Sequence, residues 1–169
     1  MKKHTGFTMI EILIVIALIG VLSTLAVPSF IEVFRSTRTT TATNELVDSI
    51  QLARSEAIRQ RQVVRVCPVG QTCTGSVTTT TSYANGWTVV RADGVVLRER
   101  EATHASITVT GPTQGISFDA MGRVTVGTAT FTEATQGTLQ VRANGCGANG
   151  GRNIRVERGG RVATVVVNC

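Results

Sequence analysis

Lysine vanishes from this chain after Lys3, and beyond His4 the only histidine is His104. Aromatic residues make up 4% of the sequence and charged residues 17%, against 42% hydrophobic. So few aromatics exclude a stacking platform for single-stranded nucleic acid. Low charge with ample apolar content excludes a compositionally disordered chain and a solvated coiled coil. The 169 residues fit one domain with one appendage, and no internal repeat is evident. Abundant Thr and Gly point to a small, turn-rich β module.

The chemistry of an enzyme is also missing. A nucleophilic triad is usually built on histidine, and His104 stands at a strand entrance with no nucleophile elbow in the chain. The four cysteines are Cys67, Cys73, Cys146 and Cys169; neither pair has C-x2-C spacing and no histidine is near, which speaks against zinc. The Gly-rich stretch from Gly145 to Gly151 lacks the Lys-Ser/Thr ending of a phosphate loop, and no helix follows it, so it reads as a loop. The expectation is a non-catalytic chain with no cofactor and no metal.

The first thirty residues are the informative ones. A short basic head, Met1 to Gly6, precedes Phe7-Thr8-Met9-Ile10-Glu11 and then a run without charge from Ile12 to Val27. Counted from Phe7 that run reaches about 30 Å as a helix, enough to cross a bilayer, with Lys2 and Lys3 holding the head on the cytoplasmic side. A removable signal peptide is the alternative, but the run ends without a good small-x-small cleavage site. A carboxylate just inside the run is expensive unless it is paired, so Glu11 predicts a partner.

These residues resemble the type IV pilin superfamily. Gly6-Phe7-Thr8-Met9-Ile10-Glu11 is similar to the motif at which prepilin peptidase cuts after the glycine and methylates the new N-terminal phenylalanine. The resemblance implies cleavage between Gly6 and Phe7, a helix retained in the mature protein, and a Glu11 that neutralises the N-terminus of a neighbouring subunit.

Downstream, Leu46, Ile50, Ala53 and Ala57 recur at helical spacing with charged residues around them, the pattern of an amphipathic helix on an apolar surface. Thr37 to Thr43 predicts a looser stretch of that helix. From Val63 the period becomes two, predicting strands at 63–67, 87–91, 95–101, 106–110, 115–118, 123–126, 138–142, 153–158 and 161–167. Thr74 to Gly86 reads as an exposed loop.

Ala53-Arg54-Ser55-Glu56-Ala57-Ile58, Gly86-Trp87-Thr88-Val89-Val90 and Ile116 to Val124 are similar, in order, to segments of the GspH/FimT family of minor pilins and pseudopilins. The resemblance implies an α+β, pilin-like fold: a leader at 1–6, a long helix at 7–62 with its membrane half near 9–28, and antiparallel sheets in a domain at 63–169. It implies a single-pass inner-membrane protein with a periplasmic C-terminal domain, assembled with other pilin subunits into a type IV pilus or a type II secretion pseudopilus.

An even cysteine count beyond a membrane anchor points to an oxidising compartment and two disulfides. Of three possible connectivities, the one read here joins Cys67 to Cys73 and Cys146 to Cys169.

Without the leader the chain has 15 Arg against 11 Asp plus Glu, a net charge of 15 − 11 = +4. The whole excess falls at the C-terminal end, where Arg142, Arg152, Arg155, Arg158 and Arg161 meet only Glu157. With Gly159-Gly160 as a two-residue turn, Arg158 faces Arg161, and Ile154, Val156, Ala163 and Val165 share the core face. Arg155 then points outward, Arg152 leaves the preceding loop, and Arg158 and Arg161 flank the tip. Four guanidinium groups there predict a DNA-backbone site, against the alternatives of a solvated hairpin or one facing an acidic subunit. Some FimT-type pilins are DNA receptors for natural transformation with a Gly-Arg-x-Arg motif; Gly151-Arg152-Asn153-Ile154-Arg155 departs from it by one residue.

Overall fold

A computed structural model of the chain describes residues 7–71, 73, 80–125, 138–147 and 150–169. The chain forms two units, Met1–Phe34 and Arg35–Cys169. Helix α1, Met9–Gln60, supplies nearly all of the described part of the first and opens the second.

In the first unit Thr8 caps α1: the Glu11 amide donates to the Thr8 carbonyl at 3.1 Å and to Thr8 Oγ1 at 3.4 Å. Thr8-x-x-Glu11 is a capping-box sequence. Beyond it, large apolar side chains stand exposed on every side of the helix, among them Met9, Ile10, Leu13, Leu18, Leu22, Phe30 and Phe34.

The second unit holds its own core. Every member of its apolar cluster lies between Ala42 and Val156. Leu46, Ile50, Ala53 and Ala57 of α1 are fully buried, as their helical spacing predicts. The threonine stretch is as helical as the rest, contrary to the expected loosening. Thr39 and Thr43 are buried, and their hydroxyls donate to the carbonyls of Arg35 at 3.0 Å and Thr39 at 2.7 Å. Bonding back to the fourth preceding carbonyl lets a β-branched polar residue enter a helix interface with its hydroxyl satisfied. The helix ends where Arg61 turns left-handed (φ 53) and the Gln62 amide returns to the Ala57 carbonyl, a Schellman closure.

Ten strands follow among the described residues: β1 Val64–Pro68, β2 Thr80–Ser82, β3 Trp87–Arg91, β4 Val96–Arg100, β5 Ile107–Pro112, β6 Ile116–Phe118, β7 Val124–Thr125, β8 Thr138–Ala143, β9 Gly151–Val156 and β10 Val162–Val167. They form two antiparallel sheets, β4-β3-β1-β6-β7 and β10-β9-β8-β5-β2. Alternation sends Val64, Val66, Trp87, Val89 and Phe118 of the first, and Val109, Leu139, Val141, Ile154 and Val156 of the second, into one core.

The expected exposed loop at 74–86 is corrected on its second half; residues 74–79 lie outside the described residues. Thr80–Ser82 pairs with β5, and Tyr83 is buried with its hydroxyl donating to the Pro112 carbonyl at 2.8 Å. Burial pushes the Tyr83 phenol well above its usual range. Four consecutive threonines mask a strand by composition, yet β-branched residues suit an extended backbone.

Candidate functional site

At the amino end, Phe7 is 78% exposed and Glu11 is exposed one turn into α1; Gly6 lies outside the described residues. Among the described residues no helix is long and apolar enough to cross a membrane.

The cysteines are joined Cys67 to Cys73 and Cys146 to Cys169, with Cα separations of 5.9 and 6.0 Å. The second bond ties the chain's last residue to the loop after β8. Arg35 of α1 reaches the same loop, its Nη1 donating to the Gly145 carbonyl at 2.7 Å.

The C-terminal hairpin differs from the register expected of a two-residue turn. The Gly160 amide donates to the Glu157 carbonyl at 2.8 Å and the Glu157 amide to the Arg161 carbonyl at 2.9 Å, and Gly160 alone of the two glycines is left-handed (φ +78). This is a three-residue connection, a type I turn closed by a left-handed glycine. Val156 therefore pairs with Val162 and Ile154 with Thr164. A slip of one residue turns β10 over. Val162 packs against the core, while Val165, expected inside, is half exposed.

The same geometry separates the arginines. Arg152 is a strand residue of β9, not a loop residue, and lies on the inward face with Ile154, opposite Val141. Arg155 is on the outward face, opposite Ala163 and exposed. Arg158 and Arg161 are exposed at the turn. Arg142 is held within the sheet, its Nη1 donating to the Arg152 carbonyl at 3.0 Å and its Nη2 to Asn153 Oδ1 at 2.9 Å. It can lie across β9 because Gly151 stands opposite; a Cβ there would meet Arg142 Cδ at 2.8 Å.

Arg54, which periodicity leaves on the polar side of the helix, is the residue that sequence reasoning missed. Its Nε donates to the Gly122 carbonyl at 3.1 Å and its Nη2 to the Gly159 carbonyl at 3.0 Å, so one helical side chain holds the β6–β7 and β9–β10 turns together. Only its place in the segment from Ala53 to Ile58 marked it beforehand. The β6–β7 turn is itself built by Asp119. Burial works to raise that carboxyl, but hydrogen bonds from the Arg123 amide and guanidinium and from the Met121 amide, each at 2.9 Å, hold it below the ordinary carboxylate range. His104, exposed, has Nδ1 2.9 Å from Ser106 Oγ and accepts from the Ser106 amide at 3.1 Å. No group of three metal-ligating side chains occurs among the described residues.

Residues 42–168 match the family described as type II transport protein GspH, and residues 1–27 match the prokaryotic N-terminal methylation motif. The chain is similar in fold to the type IV minor pilin FimU of Pseudomonas aeruginosa. One crystal form aligns with a TM-score of 0.56 at 23% identity over 76% of this chain and 89% of that one, and a second with a TM-score of 0.53. A fimbrial protein of the same organism is 34% identical over 64 residues, 38% of this chain and 42% of the relative's length. With a methylation motif ahead of a helix-and-two-sheet unit that the family spans almost entirely, the chain belongs to the GspH family of pilin-like structural proteins.

Proposed function

We propose that this protein is a minor subunit of a type IV pilus. It is held in the inner membrane by its apolar helix, with its globular unit in the periplasm, until the helix enters the filament. The observation that carries this reading is the first unit. Its apolar side chains from Phe7 to Leu22 and from Phe30 to Phe34 are exposed all round, and a helix apolar on every face needs a bilayer or a bundle of like helices to cover it. The described apolar helix from Met9 to Thr24 spans about 24 Å, and the sequence carries the run onward through Leu25, Ala26 and Val27. Prepilin peptidase is the processing partner, cutting between Gly6 and Phe7, and Glu11 meets the N-terminus of a neighbouring subunit. The similarity to a fimbrial protein, 34% identical over 64 residues, supports the pilus reading, and a secretion pseudopilus is the alternative that the name of the matching family carries. DNA uptake is the less favoured reading, because Arg152 and Arg155 lie on opposite faces of β9.

The test is recovery in sheared pili from cells making wild type or Glu11→Ala. The wild type is expected in the pilus fraction, six residues shorter and one methyl heavier by intact mass. The variant is expected to fold normally and to be depleted from that fraction. Wild type absent from pili but required for type II secretion would assign the chain to the pseudopilus.

A further inference from the structure

In the second unit, the early turns of α1 and the connection from β4 to β5 bound a recess of about 230 Å³. Arg38, Thr41 and Glu45 stand on one wall and His104 on the other. Ala42 and Ile107, both buried, give it an apolar lining. The first wall follows from the sequence, since positions 38, 41, 42 and 45 share one face of a helix at about 100° per residue.

This recess is rich in donors. The Ser106 amide donates to His104 Nδ1 at 3.1 Å, so Nδ1 is the unprotonated nitrogen and the ring proton sits on Nε2. Arg38 Nη1 donates to Ser106 Oγ at 3.3 Å, and that hydroxyl, 2.9 Å from Nδ1, donates onward to it. The relay fixes the imidazole and leaves its Nε2–H unused among the described residues. Arg38 keeps Nε and Nη2, and makes no ion pair among the described residues. Thr39 and Thr43 donate their hydroxyls to the fourth preceding carbonyl, whereas the Thr41 hydroxyl makes no hydrogen bond among the described residues. A guanidinium, an imidazole N–H and a hydroxyl beside an apolar lining suit one carboxylate.

The next recess along the helix has the opposite character. It shares Glu45 and Ala102 with the first, measures about 410 Å³, and adds Glu99, Arg100 and Glu101 to the lining. Arg100 Nη1, 3.8 Å from Glu45 Oε1, partly neutralises that carboxylate. Glu99 and Glu101 are exposed and make no ion pair among the described residues. Three carboxylates against one guanidinium disfavour a polyanion, because a phosphodiester backbone or an anionic lipid surface reaching Arg38 would meet like charge beside it. They favour a dipolar ligand, with a carboxylate at the Arg38 end and a cation at the Glu45 end. Arg38 and Glu45 are seven residues apart, a rise of about 10 Å. A second helix lying alongside presents side chains at that same interval, and seven residues are two turns less about 20°, so both leave it on one face.

We propose that this groove receives the helix of another, non-identical subunit, which carries an acidic residue for Arg38 and His104. Seven positions toward its C-terminus that helix carries a basic residue for Glu45, Glu99 and Glu101, the order that two helices anchored in one membrane and running the same way require. The proposal rests on the reading of the chain as a filament subunit, and it needs no second copy of this chain.

The first arm of the test is an NMR titration of residues 35–169, which contain the whole apolar core. The probe is an alanine-based peptide of about 15 residues, long enough to be helical, with a glutamate followed seven residues on by an arginine. Saturable shifts are expected at Arg38, His104, Ser106 and Glu101, and added salt is expected to weaken them. Exchanging the two charges of the peptide, or Arg38→Gln in the protein, is expected to weaken binding about two- to fivefold, the worth of an exposed ion pair. Arg38→Glu is expected to abolish it, with unchanged signals elsewhere showing the variants folded. No binding, equal binding of the exchanged peptide, or binding of inorganic phosphate or duplex DNA at these residues as tight as that of the peptide would each overturn the proposal.

The second arm places a photoreactive phenylalanine at Thr41 of the full chain in cells. Sheared pili are expected to hold a cross-link to a different subunit, in a helix with an acid and a base seven residues apart. Arg38→Glu is expected to remove that cross-link, and exchanging the partner's acid for arginine to restore it. A cross-link to a second copy, to a segment without those charges, or none from a chain that is present in the pili would overturn the proposal. Peptide binding as described by a chain absent from sheared pili would leave the groove standing and remove only the pilus assignment.

Discussion

Trp87 Nε1 donates to Ser49 Oγ at 2.9 Å with both side chains buried, and Ser49 Oγ donates in turn to the Glu45 carbonyl at 2.8 Å. A strand of the first sheet is thereby hydrogen-bonded to the helix through the core. Ser49→Ala removes the acceptor and leaves the indole N–H buried without a partner. The expected loss is about 1–3 kcal/mol of unfolding free energy, read by urea denaturation of residues 35–169. Loss of the fold is not expected, because the indole ring keeps its apolar contacts.

The two glycines of the C-terminal turn are not equivalent. Gly159 has open space where a Cβ would stand and an ordinary φ, whereas at Gly160 the φ is +78 and a Cβ would come within 2.3 Å of the Gly122 carbonyl oxygen. Gly159→Ala is therefore expected to be neutral or to stabilise by up to about 1 kcal/mol, through the entropy of the unfolded chain. Gly160→Ala is expected to destabilise by more than 1 kcal/mol, roughly the strain of a left-handed alanine together with the displaced turn. Paired thermal melts separate the two, and equal effects would contradict the three-residue turn.

That turn also shows where sequence stops determining geometry. The buried row of α1 and the inward faces of β1, β3, β8 and β9 follow from period alone, since a residue on the wrong face would expose apolar area along a whole element. Phe7 and Glu11 stand out in the sequence because one charge interrupts an otherwise neutral run. The face of β10 does not, because Gly159-Gly160 accommodates two turn types that differ by one residue, and Ala163, Val165 and Val166 give β10 no amphipathic pattern to decide between them. Tyr83 was hidden beside a threonine run that reads as loop. Arg54 was hidden because its partners are backbone carbonyls, which leave no trace in the side-chain pattern.

The disulfide between Cys146 and Cys169 closes a loop containing all of β9 and β10. The double substitution Cys146→Ser with Cys169→Ser is expected to cost about 3 kcal/mol, the chain-entropy value for a loop of that length. It should also speed amide exchange in β10, whose far side pairs with no described strand. Cys67→Ser with Cys73→Ser opens a much shorter loop and is expected to cost less. Peptide mapping without reduction checks the connectivity, and guanidinium unfolding the ranking.

Asp119 predicts a specific acid sensitivity. Its carboxylate accepts from the Met121 and Arg123 amides and from the Arg123 guanidinium, and these bonds outweigh burial to hold its titration below that of the unfolded chain. A carboxyl depressed by folding contributes stability above its unfolded pKa, about 3.9, and loses it as pH falls through the lower folded value. Thermal stability of residues 35–169 is therefore expected to fall below about pH 4, with Asp119 responsible for part of the fall. In Asp119→Asn an amide oxygen still accepts from one backbone amide, but the charge and the Arg123 pair are gone. The variant is expected to melt lower than wild type at pH 7, and to approach it as the pH falls below the depressed carboxyl. Because Arg54 ties the Asp119 turn to the β9–β10 turn through the Gly122 carbonyl, amide exchange at Gly160 is expected to quicken with that at Gly122. A melting difference that stays constant across the acid range would mean the carboxylate acts only as a shape in the turn, and that its charge contributes nothing.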